Sequence, residues 1–137
     1  MTPVLLQVTS MKIIARYLGL ALLLAAPPVA LADMQDEIQH LLQFVENSGC
    51  KFERNGTIYD SKEARSHIEK KYNYVSSYVD DTEDFIKYAA TESSISGRKY
   101  HAICDGSKQP SADWLHQELS HYRAEQAETA AFKTEAD

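Results

Sequence analysis

Two cysteines, Cys50 and Cys104, limit what this chain can become, because a pair allows a single connectivity. Closing a loop of about 54 residues stabilises a fold by on the order of 4 kcal/mol in the chain-entropy model. A pair is read as a disulfide when the chain reaches an oxidising compartment, and the sequence carries such an address. Lys12 and Arg16 form a short basic start, Tyr17 to Ala26 an apolar run, and Ala30-Leu31-Ala32 a small-x-small cleavage site. The run is too short for a membrane span, which needs roughly 20 apolar residues, and Pro27-Pro28 interrupts it. Residues 1–32 are therefore expected to be a signal peptide, removed on export to the periplasm and leaving no membrane span. Met1 to Ser10 have no part in that scheme, so Met1 and Met11 both remain open as initiator. Cys50 and Cys104 are expected to be bonded; the alternative is a reactive thiol beside His101.

Composition then narrows the function classes. Cleavage after Ala32 leaves 105 of the 137 residues, enough for one compact domain. Lys12 and Arg16 leave with the signal while all 20 acidic residues stay, so the net charge moves from −6 to −8. That balance argues against nucleic acid and anionic lipid and mildly favours a basic protein or a cation as partner. Residues 33–123 are read as a single domain, and 124–137 as an acidic Ala/Glu-rich tail that extends the last helix or frays.

Periodicity places the elements. Ile38, Leu41, Leu42 and Val45 mark one face of a first helix from Met34 to Ser48, ended by Gly49. Asn55-Gly56 between Cys50–Arg54 and Thr57–Tyr59 is a hairpin turn, since both positions must accept positive φ. It also opens an Asn-Gly-Thr sequon, for which the turn is the better account. Asp60 and Glu63 form a capping box for a second helix with Ala64, Ile68, Tyr72, Val75 and Val79 inward. Asp81 or Thr82 caps a third, with Phe85, Ile86, Ala89 and Ala90 inward. Ser93 to Gly97 is a turn, and Tyr100 to Cys104 a strand closed by Asp105-Gly106. A polar loop with Pro110 follows, and Ser111 caps a fourth helix bearing Trp114, Leu115, Leu119 and Tyr122. The order α-β-β-α-α-β-α, with one disulfide, predicts an α+β fold: about four helices on an antiparallel sheet of about three strands.

Chemical motifs are sparse. No histidine spacing suits zinc: His116 and His121 point about 140° apart on a helix. His67 is read as a partly buried structural histidine. Asp80, Asp81, Glu83 and Asp84 lack the calcium-loop pattern, so no metal and no cofactor are expected. Ser93, Ser94 and Ser96 precede His101 without a nucleophile-elbow motif. A small hydrolase built on the Ser93 to His101 segment is therefore the alternative function, and an envelope-structural protein a third.

Two runs, Asn47-Ser48-Gly49-Cys50 through Lys71-Tyr72 and Ser93-Ser94 through Cys104, together with Trp114-Leu115 and Tyr122-Arg123, resemble the exported bacterial family known as domain of unknown function 5329. The resemblance covers nearly all of Asp33 to Arg123 and implies a periplasmic protein with two characteristic cysteines and no established activity. Within it, Ser96-Gly97-Arg98-Lys99-Tyr100 is similar to the Ser-Gly-x-x-Tyr motif of periplasmic lysozyme inhibitors, in which a projecting loop enters the enzyme's cleft. That similarity implies binding roles for Ser96, Gly97 and Tyr100. The function expected is thus a periplasmic binding protein without catalytic residues and with a protein partner yet to be identified, in its sharpest form an inhibitor of a basic, lysozyme-like enzyme.

Overall fold

The computed structural model describes residues 33–136; the expected signal peptide, 1–32, lies outside them. The chain runs α1 (Met34–Asn47), β1 (Lys51–Arg54), β2 (Thr57–Tyr59), α2 (Ser61–Val75), a 3-10 turn (Ser76–Tyr78), α3 (Thr82–Ala89), β3 (His101–Cys104), β4 (Ser107–Pro110) and α4 (Ser111–Ala136). It is an α+β fold of four helices and one antiparallel sheet in the order β2-β1-β3-β4.

The sheet has four strands, not three. Ser107–Pro110 reads in sequence as a polar loop, because Ser-Lys-Gln-Pro has no apolar alternation. It is an edge strand held through its backbone, with Ala102 opposite Gln109 and Cys104 opposite Ser107. Pro110 sits at its end, where a missing N–H costs no ladder bond. The turn that makes this hairpin is Asp105-Gly106, at φ 50° and 77°, matching Asn55-Gly56 at 51° and 80°. Both pairs take the two positive φ angles that suit the twist of the flanking strands.

Helix boundaries follow local chemistry. The Asp60 side chain accepts from the Glu63 amide at 2.8 Å while Glu63 accepts from the Asp60 amide at 2.9 Å, so both ends of the capping box are made. Asp81 caps α3 by accepting from the Asp84 amide. Ser111 does not cap α4: it is the first helical residue, and its hydroxyl donates to the carbonyl of Ala90. That bond ties the start of α4 to the end of α3. The segment from Ala124 continues α4.

The core lies between the helices and one sheet face. Phe52 and Ala102 are cross-strand partners, both buried. Trp114 packs on Phe52 and Phe44, with centroids 5.5 and 4.5 Å away. Ile38, Leu41, Phe85, Ile86 and Leu115 fill the interior. A disulfide joins Cys50 to Cys104, Cα–Cα 4.6 Å. Because Lys51 pairs with Ile103, the bridge continues the β1–β3 register by one position and fixes the end of α1 to the middle of the sheet.

Candidate functional site

On α2, the residues His67, Lys70, Lys71 and Tyr74 fall at i, i+3, i+4 and i+7, the spacing that puts side chains on one helix face. This face is turned toward the β1–β2 hairpin and the segment after α3. Together the three walls enclose an open cleft of about 480 Å³. The hairpin contributes Arg54, Asn55, Thr57 and Tyr59, and the third wall Ser93, Ser94, Ile95 and Tyr100. Behind it a smaller cavity of about 30 Å³, floored by Phe52, Ala64, Ile68 and Ala90, shares Arg54, Tyr59, His67 and Tyr100 with the cleft. Space of that size holds a water or a methyl-sized group.

The inner end of the cleft is a connected polar cluster. Arg54 donates to the Tyr59 hydroxyl at 3.0 Å and to His67, with Nε2 at 2.9 Å; its guanidinium also lies 4.7 Å from the Tyr59 ring centre. The His67 Nε2 is 3.3 Å from the Tyr100 hydroxyl. Lys71 donates to the carbonyl of Glu92 and sits 5.1 Å from the centre of the Tyr100 ring. Burial, aided by the positive charges of Arg54, Lys71 and Lys70, pushes the His67 imidazole down to about 4, so it is neutral at pH 7. Burial also lowers the Lys71 ammonium and raises the Tyr100 phenol.

The residues singled out from sequence fall at the cleft's third wall with roles of their own. Ser96 is exposed, but its hydroxyl donates to Asn55 Oδ1 at 2.6 Å and accepts from the Arg98 amide. Ser93 is buried, and its oxygen accepts from Asn55 Nδ2 and from the amides of Ile95 and Ser96. One asparagine thus clamps the 93–97 turn onto the hairpin, with Gly97 at φ 68° closing it. Tyr100 does not project from a loop: it is 8% exposed, and its ring forms the floor of the cleft. Its hydroxyl is already within reach of His67 and Lys71. The exposed tip of the turn is Ile95, at 99% exposure. No hydrogen bond joins any of the three serines to His101, which lies across from Glu53 on the opposite face of the sheet from the buried Phe52–Ala102 pair. Among the described residues no three His, Cys, Asp or Glu side chains are grouped to hold a metal ion.

The residues that sequence reasoning passed over are Arg54, Tyr59, Lys70, Lys71, Tyr74 and Ile95. A signal existed in the polar face of α2, where His67, Lys70, Lys71 and Tyr74 repeat with helical period. Arg54 and Tyr59 had none, since strand pairing alone turns them toward that helix.

Comparison with known proteins adds a family without an activity. A family model described as "Family of unknown function (DUF5329)" matches residues 32–123. The chain is 32% identical over 83 residues to "Uncharacterized protein YfeK" of Salmonella typhimurium, an alignment covering 58% of this chain and 69% of that protein. No solved structure matches.

Proposed function

We propose that this chain, which belongs to the DUF5329 family, is an exported, non-enzymatic binding protein whose ligand site is the cleft between α2, the β1–β2 hairpin and residues 92–100. The observation that carries the reading is the contrast between the two ends of that cleft. Ser93 and His67 in the cleft and Ser96 on the exposed turn beside it are each committed to internal hydrogen bonds, and no nucleophile–base pair is formed among them. At the rim Ile95 and Tyr74 stand 99% and 78% exposed, large apolar surface left open by the described residues. Aromatic and aliphatic anchors around a preformed polar cleft suit recognition rather than turnover. The signal-like segment before Asp33 and the Cys50–Cys104 bridge support export.

A cationic, lysozyme-like partner is disfavoured by the charge of the site. Arg54, Lys70 and Lys71 line the cleft, and Arg98 and Lys99 flank the turn. A basic enzyme would meet like charge there.

Differential scanning fluorimetry of the oxidised protein against muropeptides, lipid headgroups and small osmolytes tests the reading. A stabilising ligand is expected, with its effect lost in Thr57→Arg, an exposed position at the cleft mouth. A panel without any stabiliser, together with labelling of a serine by a fluorophosphonate probe, overturns it. So does inhibition of chicken-type lysozyme that is abolished by Ser96→Ala plus Tyr100→Phe, because the contact would then be the turn and not the cleft.

A further inference from the structure

We infer that the cleft binds a phosphomonoester, the phosphate held by Arg54, Lys70 and Lys71 and its small organic part lying between Tyr74 and Ile95. The inference deepens the binding reading above and rests on it. Its first support is charge. Arg54, Lys70 and Lys71 line the cleft and Lys62 and Arg98 stand at its margins, yet among the described residues none of the five forms an ion pair with a carboxylate. The nearby acids are occupied: Glu92 is paired with Lys99 at 2.5 Å, and Glu63 caps α2. In a chain of net charge −6, a group of cations without a contact ion pair, Lys71 feeling only the more distant charge of Glu92, is the feature that most needs a partner. His67 at the centre of the group is kept neutral first by burial and then by the charges of Arg54, Lys71 and Lys70, so it adds no positive charge of its own to the cluster.

Valence and geometry narrow the anion. A phosphomonoester carries roughly −1.5 to −2 charge at pH 7 and three acceptor oxygens, which suits one guanidinium and two ammonium groups, through the N–H donors they keep beyond their bonds to His67, Tyr59 and the Glu92 carbonyl, better than a single carboxylate does. The cavity behind the cleft, at about 30 Å³, is too small for an organic substituent, so that part lies outward against Tyr74 and Ile95, whose exposure is otherwise unexplained. A free phosphorylated metabolite and a phosphatidic headgroup share this chemistry.

Calorimetric titration at low ionic strength decides it, with phenyl phosphate, inorganic phosphate and benzoate as soluble probes and phosphatidic-acid vesicles as the lipid arm. Phenyl phosphate is expected to bind more tightly than inorganic phosphate and at least about tenfold more tightly than benzoate. Lys70→Gln and Lys71→Gln should each weaken it by about tenfold, the scale of one charge-assisted bond. Lys51→Gln, on the far face of the sheet, should change nothing. Lys70 is exposed, so its variant tests binding without disturbing the fold. Binding to the vesicles alone, with the same lysine dependence, assigns the phosphate to a lipid and supports the inference. Equal binding of benzoate, or no loss in either lysine variant, overturns it. If no phosphate probe binds while the fluorimetry panel yields a stabiliser sensitive to Thr57→Arg, the phosphate inference falls and the binding reading stands.

Discussion

At the scale of single residues, His67 and Asn55 do the most to make the cleft, and each does so through partners distant in sequence. His67 is hemmed in by Arg54 from β1, Lys70 and Lys71 from its own helix and Tyr100 from the end of the third wall, and its imidazole titrates near 4 instead of 6.5. Between those two values the unfolded chain binds a proton that the native state refuses. Stability must therefore fall as pH falls through that window and level off below about 4. Urea unfolding at pH 7.5 and 4.5 should show a loss on the order of 1 kcal/mol in the native protein that is absent from His67→Gln, once screening at a half-buried site is allowed for. Equal losses in the two proteins would refute this account. Asn55 carries two burdens, a positive φ of 51° and bonds to Ser93 and Ser96. Asn55→Gly should cost about 1 kcal/mol by losing the bonds alone, and Asn55→Ala about 1 kcal/mol more by adding backbone strain. Faster hydrogen exchange of the Ile95 and Ser96 amides should accompany both, and unchanged exchange would remove Asn55 as the clamp.

Among the elements, α4 is anchored to both α1 and α3 at once by one guanidinium, beside the Ser111 bond at its start and the His40–Glu118 contact along it. Arg123 donates to both oxygens of Glu37 on α1, at 2.7 and 2.8 Å, and to Glu83 on α3 at 2.6 Å, while Thr82 donates to Glu37 at 2.5 Å. Glu37 is only 6% exposed, and the hydrogen bond from Arg123 is the main cause of its lowered pKa. A lowered carboxylate adds stability above its unfolded value near 4.5 and loses it as pH falls through the folded one. Arg123→Met should cost about 2–4 kcal/mol at pH 7 by leaving that carboxylate buried without its cation, Thr82 alone still donating to it, and less at acid pH, where the carboxylate freed of Arg123 takes up a proton. A pH-independent cost in urea unfolding would show that Glu37 is not the partner that matters. Sequence periodicity found all four helices because their apolar faces repeat every three or four residues, and the Asn55-Gly56 hairpin because its turn chemistry is local. It missed β4, whose exposed residues have no face to bury. It missed the cleft for a related reason: His67 reads as a structural histidine, and nothing local to Lys70 and Lys71 gives them a role. What makes them a site is Arg54 and Tyr59 brought opposite by β1–β2 pairing, a long-range fact.

On the scale of the whole molecule, the disulfide and the proposed export must stand or fall together. The bridge lies at the centre of the architecture: Cys50 follows α1 and opens onto β1, while Cys104 ends β3 at the hairpin to β4. It therefore holds the helical layer to the sheet whose β1–β2 hairpin supplies one wall of the cleft. Stabilisation of about 4 kcal/mol from a loop of this length is a large part of the roughly 5–15 kcal/mol available to a small domain. Protein kept in a reducing cytoplasm should be correspondingly weaker, with the cleft loosened along with the sheet. Asp33 precedes α1, and its carbonyl accepts the first helical bond from Glu37 at 3.0 Å. Removal of residues 1–32 would thus spare every described element. Expressed from Met11 in a bacterium, the protein should be recovered from the periplasm with Asp33 at its N-terminus, an intact mass two hydrogens below the reduced form, and no thiol reactive after denaturation. Reduction should then lower its unfolding free energy by about 4 kcal/mol or less, the chain-entropy figure being an upper bound when the reduced state retains structure. An uncleaved Met11 start, or two free thiols in the exported fraction, would separate the fold from the compartment proposed for it.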